Sequence, residues 1–198
     1  MSPTNRGLTL VLASTSPYRR ALLERLKFPF QTVSPQVDET PHCAEAPAAT
    51  AARLALTKAQ SVRARFPGAL IIGSDQVAFC EGKRLDKPGN HAGAFAQLRH
   101  ASGKPVSFVT AVALLNADKG RTQQQAVTTE VRFRKLSEAE IERYLDAEPA
   151  FDCAGSAKAE GLGIALIESI QSPDPTALIG LPLIALAGML RNEGLSIP

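Results

Sequence analysis

Apolar residues fall into short bounded runs that alternate with helical stripes along the whole chain. Residues 8–13 (LTLVLA) are nearly all apolar and end in Ser14, Thr15 and Ser16, which predicts a buried strand. Ser16 and Pro17 then suit the N-cap and first position of a helix that runs to about Lys27. Residues 30–39 (FQTVSPQVDE) read as an interrupted extended segment closed by Asp38-Glu39 and Thr40-Pro41. From Pro47 to about Arg65 the chain is Ala-rich, with Ala51, Leu54, Ala55, Lys58, Ala59 and Val62 on one helical stripe. Residues 69–79 (ALIIGSDQVAF) predict a buried strand that breaks at Gly73-Ser74-Asp75.

A charged turn, EGKRLDKPGN, leads to a helix over 92–99 and then to a central strand, VSFVTAVALLN. Residues 126–136 alternate as a half-exposed strand. The next segment has the spacing of a capping box, Ser137 with Glu140, a Leu136–Ile141 staple and Pro149 as its stop. LGIALIESI predicts another strand, and LPLIALAGMLRNEG an apolar helix stopped by Gly194. This alternation argues for an α/β fold with a mixed sheet.

Composition narrows the class. A chain of 198 residues with 44% hydrophobic content suits one soluble domain over 1–198 with an aliphatic core. The net charge of +3 is spread without a basic block, so neither a nucleic acid nor a membrane partner is expected. Cys43, Cys80 and Cys153 show no CxxC or His-paired spacing, which fits a reducing compartment without structural zinc. The first residues carry no apolar signal core, and no run nears the roughly 20 apolar residues of a membrane span. A cytoplasmic location is the expectation.

The chemistry is narrowed first by absences. There is no GxxxxGK[ST] loop, no GxGxxG after a strand, no HExxH and no GxSxG. His42, His91 and His100 lie in polar contexts and read as solvated. Arg19 and Arg20 stand in a first helical turn, where the helix dipole disfavours cations. Arg19 shares a face with Leu22, Leu23 and Leu26. Two readings stand: a surface pair, or an anion site made by the Ser14-Thr15-Ser16 backbone, its hydroxyls and a guanidinium.

Asp75 follows a buried run, at what reads as the carboxyl end of a strand, where open α/β sheets place ligands; a turn cap is the alternative. Gln76 offers an amide that can read a base edge or hold the structure together. Lys58 interrupts its apolar stripe and either snorkels to water or extends into a cleft toward phosphate. Glu39 beside Asp38, and Lys83, Arg84 and Lys87 in the later turn, concentrate both signs of charge at element ends. Hard carboxylate oxygens suit Mg²⁺, and cations suit the phosphates it accompanies.

Together these segments resemble the Maf family of nucleotide pyrophosphatases, relatives of the inosine triphosphate pyrophosphatases. The matching stretches are LASTSPYRR, VDETP, the Lys58 helix, IIGSDQV, DKPG, LSEAEIERY, CAGSAKAEGLG and IGLPL, in order over nearly the whole chain. The resemblance implies a mixed sheet with flanking helices and a central substrate cleft, and a homodimer at family level. It implies hydrolysis of a nucleoside triphosphate between its α- and β-phosphates, releasing pyrophosphate. By matching position, Asp75 is the expected proton acceptor for water, and Ser14, Arg19, Lys58 and Lys87 the expected phosphate-binding set. Glu39 and Asp75 are the expected holders of a divalent cation, Mg²⁺ or Mn²⁺.

Three further positions separate branches of that family, and here they hold Tyr18, Gln76 and Glu160. This set resembles the branch that hydrolyses 7-methyl-GTP; the dTTP/UTP branch typically carries Arg, Thr and Gln. A positively charged N7-methylguanine suits an aromatic face, and a carboxylate suits its N1–H and amine edge. Two departures stand out: Tyr18 where Trp is familiar, and Ala157 where an aromatic is common. UTP, CTP or another modified nucleotide is the alternative substrate. A nucleotide-binding regulator of cell division is the alternative of another class; intact Asp75, Lys58 and Glu39 speak against it.

Overall fold

The computed structural model describes residues 8–197. In chain order its elements are β1 (Leu10–Ala13), α1 (Pro17–Glu24), β2 (Gln31–Val33), α2 (Pro47–Ser61), β3 (Leu70–Cys80), β4 (Lys83–Arg84) and α3 (His91–Ala101). There follow β5 (Pro105–Asn116), β6 (Arg121–Phe133), α4 (Glu138–Ala147), β7 (Ile167–Gln171) and α5 (Leu183–Asn192). Hydrogen bonding orders a seven-stranded sheet as β2-β1-β3-β5-β6-β7, with β4 on β3. β1 runs parallel to β2 and β3, whereas β4 is antiparallel to β3 and β7 to β6, so the sheet is mixed as expected.

The chain divides into two compact units. Among the described residues the first holds 8–75, Thr110–Val127 and 174–197; the second holds Gln76–Val109 and Thr128–Pro173.

In the first unit the parallel pairing sets Leu10 opposite Leu70, Val11 opposite Ile71 and Leu12 opposite Ile72. Alternation then sorts the side chains by face. Leu10, Leu12, Leu70 and Ile72 pack with Leu22 and Leu23 of α1 and Leu186 and Leu190 of α5. Val11, Ala13 and Ile71 pack instead with Ala59 of α2 and with Val62 just after it. Both faces are covered, which is why these strands read as unbroken apolar runs. α1 begins as its sequence predicts, with Ser16 accepting the Arg19 N–H, but its last helical residue is Glu24 rather than Lys27. Lys27 has a left-handed φ of 59°, which ends the helical path. α5 lacks a side-chain cap at Pro182; Thr176 Oγ1 takes the Leu183 N–H and Asp174 Oδ2 takes the Ile184 N–H, each at 2.8 Å. Gly194, at φ 89°, follows its end.

In the second unit Asn90 caps α3 through the Gly93 N–H, and α4 carries the predicted capping box between Ser137 and Glu140. The expected strand over 162–170 is half right. Leu162–Leu166 is a 3₁₀ turn, and only Ile167–Gln171 pairs with β6. Gly163 accounts for the difference, since a Cβ there would lie 2.6 Å from the Lys158 backbone: the chain folds onto itself here instead of extending.

The expected break at Gly73-Ser74-Asp75 does not occur. β3 is continuous for 11 residues, and Asp75 lies in its interior rather than at its carboxyl end. Gly73 serves another purpose: a Cβ there would stand 2.0 Å from the Ala55 carbonyl oxygen of α2. Glycine lets the helix backbone press directly on the strand. Among the described residues no helix is long and apolar enough to cross a membrane.

Candidate active site

Period-two alternation along β3 decides what each residue of GSD meets. Gly73 faces α2, Ser74 the opposite side, and Asp75 faces α2 again. Because α2 approaches so closely at Gly73, Lys58, one turn beyond Ala55, reaches Asp75. Its Nζ lies 2.6 Å from Asp75 Oδ1 and 2.8 Å from Glu39 Oε1. Lys58 therefore neither snorkels to water nor stands free in a cleft. It is buried between two carboxylates.

Arg19 settles on the inward reading. It is half-buried, and its Nε donates to the Gly180 carbonyl at 2.9 Å, which leaves the two terminal nitrogens of the guanidinium for a ligand. Burial pulls its pKa down, while the Asp75 and Glu39 carboxylates pull it back up. Arg20 is exposed and pairs with Glu24 at 3.1 Å, one turn along α1. Ser14 is buried directly after β1, where its Oγ accepts the Ser16 N–H at 3.1 Å. The anion nest expected of this turn is thus partly spent on the protein itself, since the Ser14 N–H also goes to the Leu12 carbonyl at 3.0 Å. The Ser14 hydroxyl proton and Arg19 are among the groups left to meet an anion.

Two supporting groups escaped the sequence reading. Ser74 Oγ lies 2.8 Å from the Ala111 carbonyl and 2.9 Å from that of Gly180, the same oxygen that holds Arg19. Arg53 of α2 grips Glu45 through Nε and Nη2, both at 2.7 Å, and donates to the Thr40 carbonyl at 3.2 Å. This ties down the segment that bears Glu39. Asp38 is separated from its neighbour: its Oδ1 takes the Thr40 N–H at 2.9 Å, a turn contact rather than a site contact. Ser74 and Gly180 belong to the IIGSDQV and IGLPL stretches, but nothing in either stretch shows that they meet.

Glu39 and Asp75 face one point, held in this structure by the Lys58 ammonium. Two carboxylates with further oxygens from phosphate and water are the donor set Mg²⁺ or Mn²⁺ takes, so these residues fit a divalent cation.

Tyr18 is half-buried at the second position of α1, in the first unit. Gln76, next to Asp75 on β3, is half-buried and belongs to the second unit, as do Lys87 and Glu160. Lys87 is exposed in a turn anchored by Gln97 Nε2 on the Asp86 carbonyl, 2.7 Å, and by the Gly89 N–H on the Phe151 carbonyl, 3.0 Å. Glu160 lies in a loop pinned by two contacts: Tyr144 Oη takes the Lys158 N–H and Glu148 Oε2 the Gly163 N–H, each at 3.1 Å. Partial desolvation raises the Glu160 carboxyl pKa, and the nearby Glu148 carboxylate adds to this.

A mixed sheet with a buried lysine held between carboxylates, beside an arginine at a helix start, defines an α/β protein equipped for a charged ligand. The chain belongs to the Maf-like protein family, whose match covers residues 9–193. It is 58% identical to a 7-methyl-GTP pyrophosphatase of Xanthomonas oryzae pv. oryzae, over 96% of this chain and 98% of that one. It is 57% identical to one of Aromatoleum aromaticum, over 96% and 97%. Among solved structures, a nucleoside-triphosphatase / dITP/XTP pyrophosphatase from Mycobacterium abscessus is similar at 18% identity and a TM-score of 0.41, covering 94% of this chain and 98% of that one.

Proposed function

We propose that this chain is a divalent-cation-dependent nucleoside triphosphate pyrophosphatase, a single functional domain over 1–198, that hydrolyses 7-methyl-GTP to 7-methyl-GMP and pyrophosphate. The observation that carries the reading is the buried contact of 2.6 Å between Lys58 Nζ and Asp75 Oδ1, with Arg19 held in the same unit. A triphosphate brings the negative charge that Lys58 and Arg19 can bind. As its phosphates take the Lys58 ammonium, Asp75 is released to accept a proton from water. The water oxygen then bonds to the α-phosphorus, and the bond from that phosphorus to the bridging oxygen breaks. Pyrophosphate leaves with that bridging oxygen. Ser14, Arg19, Lys58 and Lys87 offset the phosphate charge that would repel the nucleophile. A divalent cation held by Glu39 and Asp75 would add further charge neutralisation at the phosphate oxygens.

For the base, support comes from the relatives' names together with Tyr18, Gln76 and Glu160. A tyrosine face suits a cationic methylated guanine, and a carboxylate suits its donor edge. The test is pyrophosphate release from a panel of 7-methyl-GTP, GTP, UTP, CTP and dTTP with Mg²⁺ or Mn²⁺. Release fastest from 7-methyl-GTP, with the preference over GTP reduced in Glu160→Ala, is the expected result. Faster release from UTP or CTP would replace the substrate, and no release from any nucleotide would remove the pyrophosphatase reading altogether.

A further inference from the structure

In the second unit three metal-type donors come together from separate elements. Cys80 is the last residue of β3, Glu81 opens the turn into β4, and His100 lies in the last turn of α3. One ligand atom of each lies within 4.8 Å of the others. We infer that Cys80, Glu81 and His100 form a binding site for a transition cation of the Zn²⁺ class.

Donor chemistry chooses the cation. A thiolate, an imidazole and a carboxylate together suit Zn²⁺ or Co²⁺, whereas Mg²⁺ takes oxygen only. Three protein ligands leave one tetrahedral corner for water. The thiol supplies an observation independent of this proximity. Cys80 is 1% exposed, yet its thiol makes no hydrogen bond to any described residue; it faces this cluster as a buried, unpartnered group. His100 Nε2 lies 3.5 Å from the Cys80 carbonyl oxygen, the kind of backbone contact that orients a ligating imidazole. Glu81 Oε2 is held by Lys104 at 2.7 Å, so Oε1 is the oxygen left to coordinate. Glu81 also sits at a left-handed φ of 49°, a conformation non-glycine residues seldom adopt. Burial pushes the Cys80 thiol pKa up, and Lys104 opposes that rise, so an arriving cation displaces a proton. Once bound, it would clamp the β3–β4 turn to the end of α3.

The test titrates Co²⁺ into the metal-stripped full chain with Mg²⁺ in excess to occupy oxygen-only sites. A thiolate-to-cobalt charge-transfer absorption is expected, saturating at one equivalent and removed by Zn²⁺. It should vanish in Cys80→Ser and persist in Cys43→Ser and Cys153→Ser. His100→Gln, at a half-buried position that spares the thiol, should weaken Co²⁺ binding by at least about tenfold. Zn²⁺ should raise the Tm of the unsubstituted chain by roughly 2–4 °C. No charge-transfer absorption in the unsubstituted chain, or one that survives Cys80→Ser, overturns the site. Unchanged Co²⁺ affinity in His100→Gln overturns its three-residue composition.

Discussion

Lys58 Nζ stands 2.6 Å from Asp75 Oδ1, with the two side chains only 5% and 8% exposed. A buried pair of this kind contributes little net stability, because desolvation offsets much of the attraction, but each member constrains the other. It lies at the close approach of α2 to β3, so the packing of the helix on the strand sets the distance between the two side chains.

Asp75→Asn keeps the size and hydrogen-bonding capacity of the side chain while removing the carboxylate that we propose accepts the proton. Pyrophosphate release should fall by about 10²–10⁴-fold, the usual contribution of a positioned base. Circular dichroism and thermal melting should stay close to those of the unsubstituted chain. Undiminished turnover would remove Asp75 from the chemistry.

Lys58→Met removes the ammonium that Glu39 and Asp75 share. Mn²⁺ binding without nucleotide should tighten by tenfold or more, about 1.4 kcal/mol, because the cation no longer competes with a lysine for the two carboxylates. The KM for nucleotide should rise at the same time. Isothermal titration with Mn²⁺ reads the first effect, and weaker Mn²⁺ binding would show that the carboxylates do not share a cation.

Gly73→Ala would place a Cβ 2.0 Å from the Ala55 carbonyl oxygen and 2.9 Å from the Ala59 nitrogen. Both neighbours are helix backbone, so α2 must retreat from β3. We expect a loss of about 3 kcal/mol or more in urea unfolding. Activity should fall further than stability alone explains, since Lys58 moves with the helix. A variant as stable as its parent would contradict the close packing.

Acid should act through the capped and tethered helix starts. The Ser137 backbone and side-chain hydrogen bonds, with Arg134 adding to them, hold the Glu140 carboxyl down from 4.5 to about 2. The folded pKa is lowered, so this stabilisation is fully present above pH 4.5 and is lost as pH falls through about 2. Glu45, held by Arg53, behaves alike with a value of about 2. Glu140→Gln should therefore lower Tm at neutral pH, and its gap from the unsubstituted chain should close as pH falls toward 2. A gap independent of pH would exclude the charge of Glu140 as the cause.

Local pattern accounts for much of this architecture. Unbroken apolar runs marked β1 and the start of β3, Leu70–Ile72, because both faces are covered there. The i, i+3, i+4 stripe put Lys58 on the apolar face of its helix but left open whether its ammonium reaches water or a cleft. Ser16 and Ser137 marked helix starts, because caps are local hydrogen bonds between residues three apart. Packing between distant segments set where those residues meet. Gly73 read as a break because glycine is a turn former, yet it permits an approach between residues distant in sequence. Lys58 and Asp75, Arg19 and the Gly180 carbonyl, and Cys80 and His100 lie 17, 161 and 20 positions apart, and no spacing rule links them. Periodicity reports which face of its own element a side chain occupies. Which partner stands opposite depends on how elements pack, and here on a glycine small enough to let a helix touch a strand.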